Sequence, residues 1–338
     1  MTNHLLLANL ISRIILATVG ILLCWVPFRL LSRNGEFAGA VLIIDVSLMN
    51  LFTIINSIIW HTDDVKTWWD GSGLCDLEVY LWSPLQTIYA AAIFTIMFHL
   101  AQQVKVGRRS RRRNLVILQA AFIFPIPVFQ LAFTYFDLAQ RYIVGTGIGC
   151  SAVYDSSWPT MVVYDVPPAL FALLSVPYAV LLWIRYRALT KQTQGILNST
   201  TPSSIRTRRR LYNMSLSILT VYLPVMMYLF VLSVKDALAS YKPYNFHRMR
   251  YQASPYPWSS ILFVPSSIIP SSVMNQPWIP IATTVVITTF FGTTTEARAM
   301  YSRYADALGL WKRGERFGGG TGTGTLHSQR ILLASNQR

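Results

Sequence analysis

Long apolar stretches separated by short polar segments run along the whole chain. Seven of them reach or approach the roughly 20 residues that a helix needs to cross the hydrocarbon core of a bilayer. The pattern therefore predicts an all-α membrane protein with a seven-transmembrane helix bundle over residues 1–295 and a tail over 296–338. The predicted spans are residues 5–28, 38–60, 77–101, 114–136, 161–184, 212–234 and 277–295.

The tail begins with a helical pattern of its own. Its apolar side chains recur at helical spacing, and they are Ala297, Met300, Tyr301, Tyr304 and Leu308. A short amphipathic helix with this stripe is expected to lie in the inner membrane interface. The glycine- and threonine-rich run at residues 318–324 is typical of a flexible end.

The distribution of positive charge orients the predicted bundle. The chain carries 29 Lys and Arg against 14 Asp and Glu, a formal net charge of +15, although 53% of its residues are hydrophobic. Of the 29 basic residues, 22 fall in the connections at 29–37, 102–113 and 185–211 and in the tail. By the positive-inside rule these segments are cytoplasmic, which predicts an extracellular N-terminus and a cytoplasmic C-terminus.

Two arginine-rich runs stand out on the predicted cytoplasmic face. One interpretation is that they set the topology and attract anionic membrane lipid. The other is that they dock an acidic cytoplasmic partner, and both interpretations can hold together. Nucleic acid is excluded as a partner because no interleaved aromatic residues or folded module accompany the runs. The candidate docking residues are Arg108, Arg109, Arg111, Arg112, Arg113, Arg208, Arg209 and Arg210.

The sequence contains no pattern that indicates an enzyme. Its five histidines are scattered, with no pair at the helical spacing that would indicate a metal site, so no metal is predicted. A Gly-x-Ser-x-Gly nucleophile elbow is absent, and so are the glycine motifs that cradle phosphates. We therefore expect neither catalysis nor a cofactor.

Two of the three cysteines lie on the predicted outer face. Cys75 precedes the third span and Cys150 lies in the connection between the fourth and fifth spans. Because the outside is oxidising, we expect a disulfide between them. Two unpaired thiols are the alternative, since a sequence does not establish the distance that a disulfide requires.

Acidic residues near the predicted outer ends of helices are candidates for ligand binding. Asp76 and Glu78 lie at the start of the third span, and Asp165 follows Tyr164 near the start of the fifth. Ionisable residues within membrane spans are costly and often functional, so these acids could attract a basic ligand. The alternative is that they are solvated helix ends, where acidic side chains favour a helix N-terminus.

Several local motifs, taken in order, resemble the fungal mating-pheromone receptors of the a-factor (prenylated lipopeptide) type. The similarity runs from about Arg29 to about Arg303. The motifs are Ser32-Arg33-Asn34, Trp68-Trp69-Asp70-Gly71-Ser72-Gly73-Leu74-Cys75-Asp76, Gln140-Arg141-Tyr142-Ile143, Gly149-Cys150, Ser157-Trp158-Pro159, Pro167-Pro168, Phe290-Phe291-Gly292 and Glu296-Ala297-Arg298.

This resemblance implies a seven-transmembrane G-protein-coupled receptor of the plasma membrane that responds to a mating pheromone. Its ligand would be a prenylated peptide bound at the outer face, and its partner inside would be a heterotrimeric G protein, which the arginine-rich runs would contact. The candidate ligand-binding residues are Trp68, Trp69, Asp76, Glu78, Trp158, Tyr164 and Asp165.

A multi-pass transporter or channel for a small solute is the alternative function. Such a protein would be expected to contain internal repeats, helices broken at mid-membrane and paired ionisable groups. The sequence shows no repeat, and its intramembrane acids lie mostly near span ends. The receptor is therefore the favoured interpretation.

Overall fold

The computed structural model describes residues 4–106, 112–193, 203–239, 242–253 and 255–307. This part of the chain is mostly helical. Its helices are α1 His4–Asn34, α2 Phe37–Ile59, α3 Leu74–Val106, α4 Arg112–Ile123, α5 Pro125–Asp137, α6 Trp158–Thr160, α7 Val166–Thr193, α8 Ser203–Ala239, α9 Phe246–Tyr251, α10 Ser271–Met274, α11 Trp278–Ile287 and α12 Thr295–Ala307. Two π-helical turns, Met161–Asp165 and Thr288–Gly292, continue α6 into α7 and extend α11.

Six helical segments within the described residues are long and apolar enough to cross a membrane. They correspond to the first six predicted spans. Most extend beyond the predicted limits, because helical hydrogen bonding continues into polar residues that a count of apolar positions excludes. The segments are Leu6–Asn34, Phe37–Ile59, Leu74–Gln102, Asn114–Asp137, Trp158–Arg185 and Arg209–Ala239.

The seventh predicted span forms a shorter helix. Helix α11 has 10 residues and its π-helical continuation has 5, which together fall short of the length a perpendicular crossing requires. Pro277 precedes the helix and Pro280 lies in its first turn, so regular helix begins only at Trp278. Ile287 and Phe291 are nevertheless buried in the same core as the other helices.

The long helix α3 lies at the centre of the bundle. Within its most apolar 18 residues 83% are buried, whereas the corresponding figure for α8 is 17%. Three consecutive alanines, Ala90, Ala91 and Ala92, are fully buried along it. Small side chains let neighbouring helices approach closely in a membrane, and this accounts for the central place of α3.

The fourth predicted span is interrupted. Helix α4 ends at Ile123 and α5 begins at Pro125. Because proline has no backbone N–H and its ring clashes with the preceding turn, a continuous helix is disfavoured there. The chain still runs through as one apolar segment, which explains why hydropathy alone showed a single span.

A small sheet corrects the prediction that the protein is all-α. Strands β1 (Leu138–Gly145) and β2 (Gly149–Tyr154) form an antiparallel hairpin, and β3 (Ile261–Val264) pairs with β1 in parallel. Gly147 and Gly149 adopt positive φ angles of 66° and 74° in the tight turn. Glycine takes this conformation without steric cost, so the sequence favours a hairpin where we predicted only a connection.

The chain divides after Ala297 into two compact units. Among the described residues, the first contains strands β1 to β3 and helices α1 to α11. Of the second, the structure describes a helical segment that continues α12 to Ala307. Helix α12 occupies the position of the helix predicted after the bundle, and its amphipathic placement at the membrane stays a prediction. Leu308 and the glycine-rich run lie outside the described residues.

Candidate functional site

The three-stranded sheet and the loop at residues 61–73 pack together at one end of the bundle, and we call this unit the cap. Its β2 strand is joined to the start of α3 by a disulfide between Cys75 and Cys150, as the sequence predicts. Around this bond lies a second hydrophobic cluster, separate from the bundle core, which includes Trp60, Val79 and Tyr142. The disulfide therefore ties the hairpin to a packed base.

The two tryptophans of the 61–73 loop build the cap. Trp69 stacks on the fully buried Trp60 with parallel rings 6.2 Å apart, and the Trp60 indole donates to the Trp69 carbonyl at 3.1 Å. Trp68 donates its indole N–H to the Thr62 carbonyl at 2.9 Å and packs edge-on against Phe263 of β3. The contacts of Trp68 and Trp69 thus lie within the cap.

An ion pair joins α3 to the hairpin. The guanidinium of Arg141 donates to both carboxylate oxygens of Asp76, at 2.8 and 2.6 Å. This hydrogen bonding raises the pKa of Arg141 above its usual value. Because the carboxylate of Asp76 already has this partner, we assign Asp76 to the cap and not to a cavity.

Two further anchors of the cap were missed by the sequence analysis. Asp63 accepts hydrogen bonds from Thr146 at 2.5 Å and from the backbone and hydroxyl of Ser266 at 2.9 and 2.7 Å. Partial burial would raise the pKa of Asp63, but these hydrogen bonds together lower it. Arg13, fully buried in α1, donates to the carbonyls of Gly147 and Met274.

Beneath the cap, Glu78 is buried with an amide partner. Asn56 of α2 donates through Nδ2 to Glu78 Oε1 at 2.6 Å and to the Ile148 carbonyl at 3.2 Å. The other carboxylate oxygen, Oε2, is buried and has no hydrogen-bond partner. Glu78 lines a cavity under the hairpin together with Asn56, Cys150 and Gln276.

A larger cavity lies next to it, between the helices. Counted with its open mouth, it has a volume of about 720 Å³. Tyr164 and Asp165, two of the predicted ligand-binding residues, line it, and Trp82 and Gln276 line both cavities. The remaining lining includes aromatic rings and methionines, among them Tyr89, Tyr222, Met49 and Met226.

Most of this lining was not predicted, although the sequence carries a signal for it. Trp82, Gln86 and Tyr89 follow one face of α3 at spacings of four and three residues, and Tyr222, Met226 and Leu229 do the same on α8. Both helices lack charged residues over these stretches, and our prediction of ligand-binding residues from charges near span ends therefore did not include them. By contrast, Trp158 is 58% exposed and does not line either cavity.

Only two of the predicted docking arginines have described side chains, and both lie in the N-terminal part of α8, away from its cavity-lining residues. Arg209 is exposed and Arg210 is half-buried on α8. Arg112 and Arg113 begin α4, and Arg208 belongs to α8, but the side chains of these three are outside the described part of the chain. Arg108, Arg109 and Arg111 lie outside the described residues altogether.

A helical bundle with several membrane-capable helices, a disulfide-tied cap and a cavity beneath it is typical of a multi-pass membrane protein. Residues 12–309 match the family model described as "Pheromone A receptor", and the chain belongs to that family. The family consists of receptors and not of enzymes, and the comparisons do not support a transporter.

Two relatives are similar over most of this chain. The pheromone a factor receptor of Saccharomyces cerevisiae is 24% identical over 310 residues, which cover 88% of this chain and 63% of that protein. The pheromone M-factor receptor of Schizosaccharomyces pombe is 23% identical over 255 residues, which cover 73% of this chain and 66% of that protein. The chain thus spans somewhat less than two thirds of the length of each relative.

Proposed function

We propose that the protein is a G-protein-coupled receptor for a prenylated peptide mating pheromone, acting at the plasma membrane. The observation that carries the proposal is the interhelical cavity lined by Trp82, Tyr164, Asp165 and Tyr222, in a chain of the pheromone A receptor family. Ligand pockets are typically apolar and aromatic, with a few placed polar groups, and this one has that composition.

The cavity lining suits a lipidated peptide. Aromatic rings and methionines offer polarisable apolar surface to a prenyl chain, and methionine adapts to irregular shapes. Asp165, Gln86 and Gln276 supply polar groups for the peptide part. Among the predicted ligand residues, Tyr164, Asp165 and Glu78 remain our candidates for contact, whereas Trp68, Trp69 and Asp76 act through the cap and Trp158 has no such support.

The bundle is proposed to cross the membrane seven times, with residues 1–295 as the receptor bundle and 296–338 as a cytoplasmic tail. Helix α11 and its π-helical turn would supply the last crossing, with flanking residues completing the span. The excess of basic residues in alternate connections supports an extracellular N-terminus. Helix α12 would lie as an amphipathic helix in the inner interface, in contact with membrane lipid.

Signalling requires that the ligand bind one arrangement of the helices better than another. Helix α8 lines the cavity at Tyr222 and Met226 and carries Arg209 and Arg210 near its other end. A shift of α8 on ligand binding would therefore move the proposed docking arginines. We propose that these and the 108–113 run contact a heterotrimeric G protein.

The proposed function is tested by nucleotide exchange. Membranes from cells co-expressing the chain with a heterotrimeric G protein should show faster exchange when synthetic peptides ending in S-farnesylcysteine methyl ester are added. The same peptides without the farnesyl group serve as the control. Failure of every farnesylated peptide at good surface expression would reject this ligand class.

Neutralising Arg208, Arg209 and Arg210 together is expected to weaken coupling. Replacement by glutamine removes three positive charges from the inner end of α8, whereas the cavity at the other end stays intact. We expect at least a fivefold loss in maximal exchange rate with ligand affinity changed less than twofold. Unaltered exchange would leave these arginines with a role in topology alone.

A further inference from the structure

The smaller cavity under the hairpin holds an unmatched acidic group. Glu78 is 1% exposed, and its Oε2 atom has no hydrogen-bond partner. Two residues earlier on the same helix, Asp76 pairs with Arg141, but no ion pair reaches Glu78 within the described residues. A buried carboxylate without a cation is costly, and in a membrane span such residues are commonly functional.

The neighbourhood of Glu78 offers more than one acceptor to a cation. The Nδ2 group of Asn56 donates hydrogen bonds to Glu78 and to the Ile148 carbonyl. Its Oδ1 atom is buried and has no hydrogen-bond partner. An ammonium group carries three donors and no acceptor, and a guanidinium carries five donors. Glu78 Oε2 and Asn56 Oδ1 together therefore match a cationic donor and not another carboxylate.

The cavity also adjoins the proposed ligand site. Trp82 and Gln276 line both cavities, so a ligand seated against Tyr164 and Asp165 would lie beside the smaller one. We infer that Glu78, assisted by Asn56, binds a cationic group of the ligand, an ammonium or a guanidinium, in this smaller cavity. The inference rests on the proposed function, and it specifies the charge that the pheromone must carry.

The β-hairpin packs against Asn56 and holds it in place. Gly149 of β2 lies against Asn56 so closely that a Cβ atom there would overlap the amide group. The hairpin thus packs directly against the Asn56 amide, and the Cys75–Cys150 disulfide ties the hairpin to α3. The acceptor pair is therefore held in position before a ligand arrives, which reduces the entropic cost of binding.

The test combines one substitution with paired peptides. Glu78→Gln keeps the size of the side chain and its bond with Asn56 but removes the charge. Each farnesylated peptide that activates the wild-type chain is made in two forms, one with its N-terminal amine free and one acetylated. Any lysine is likewise exchanged for norleucine and any arginine for citrulline, one position at a time.

We expect one such neutralisation to raise the half-maximal concentration on the wild-type chain at least tenfold. On Glu78→Gln, the half-maximal concentration of the charged peptide should already be at least tenfold higher than on the wild-type chain. Neutralising the same group of the peptide should then change its potency on Glu78→Gln less than twofold. Asp64→Asn, an acid-to-amide change at an exposed position of the 61–73 loop that lines neither cavity, is the matched control, and it should leave the tenfold difference intact.

A second readout separates binding from folding. The melting temperature of purified, ligand-free Glu78→Gln should equal or exceed that of the wild-type chain, because the substitution replaces a buried carboxyl group that lacks a partner at Oε2 and keeps the bond with Asn56. If Glu78 had a purely structural role, the melting temperature of Glu78→Gln would fall below that of the wild-type chain.

The peptide experiment also separates this inference from the proposed function. If peptides activate the wild-type chain but every neutralised peptide loses as much potency on Glu78→Gln as on the wild type, the cation site is wrong and the receptor function stands. If no farnesylated peptide activates the wild-type chain, both are rejected for that ligand class.

Discussion

Replacing Cys75 or Cys150 with serine is expected to reduce surface expression and ligand response strongly, and replacing both should cause no further loss. The disulfide closes a loop with a sequence separation of 75 residues. Chain-entropy reasoning sets its stabilisation at about 4.5 kcal/mol for a loop of this length. The measurement is the melting temperature of the purified protein together with surface labelling.

Cys24→Ser provides the control for loss of a thiol. Cys24 is a free, buried cysteine of α1, so its substitution removes no crosslink. It should change the melting temperature much less than either cap substitution. Additive losses in the Cys75→Ser and Cys150→Ser double variant would show that the two residues act separately and would contradict the crosslink.

Gly149→Ala is expected to have the second largest effect on stability and to abolish the ligand response. Gly149 has a φ of 74°, which costs a non-glycine residue roughly 1–2 kcal/mol. The new methyl group would also displace Asn56 from Glu78, and leaving the buried Glu78 oxygen without its donor adds about 1–3 kcal/mol. Thermal unfolding and nucleotide exchange report the two effects.

Gly73→Ala isolates the backbone contribution. Gly73 has a similar φ of 85°, but a Cβ atom there would meet nothing within 4 Å. It should therefore lose only the conformational part of the stability and keep most of its response. Equal losses for Gly73→Ala and Gly149→Ala would mean that the contact with Asn56 contributes nothing.

Hydropathy predicted the membrane helices well because crossing a bilayer imposes a length and an apolar composition on each of them. It misplaced their ends, since α8 begins at Ser203 and not at 212 and α1 continues to Asn34. Polar residues beyond the membrane can remain helical. It also missed the break before Pro125, where the apolar character is uninterrupted.

The cap could be predicted only in part. Two cysteines on one predicted face were enough to indicate the disulfide, but the strand pairing was not predicted, because β1 pairs with β3 across more than 100 residues of sequence. Asp63 and Arg13 appeared as isolated charges, since their partners are backbone and hydroxyl groups in distant segments. Long-range hydrogen bonds of this kind leave no local pattern.

The candidate site was predicted by its acids and missed in its aromatic lining. Asp165 and Glu78 were selected because charges are rare within spans, and Tyr164 because it precedes Asp165. They do line cavities, whereas Asp76, selected by the same criterion, is neutralised by Arg141. A sequence gives the position of a charge along a helix but not the side chain that faces it. The distinction between Asp76 and Glu78 therefore needed the structure.

The central claim is that the interhelical cavity receives a farnesylated peptide and that its occupation activates a G protein. It is tested most directly by ligand-stimulated nucleotide exchange in the wild-type chain and in two tryptophan variants of α8. Leu229 lines the cavity, whereas Val231 lies two residues along and is 47% exposed. The account predicts exchange with farnesylated peptide for the wild type and Val231→Trp, and a loss of at least tenfold in potency for Leu229→Trp. Equal potency in the two variants at matched surface expression would contradict it.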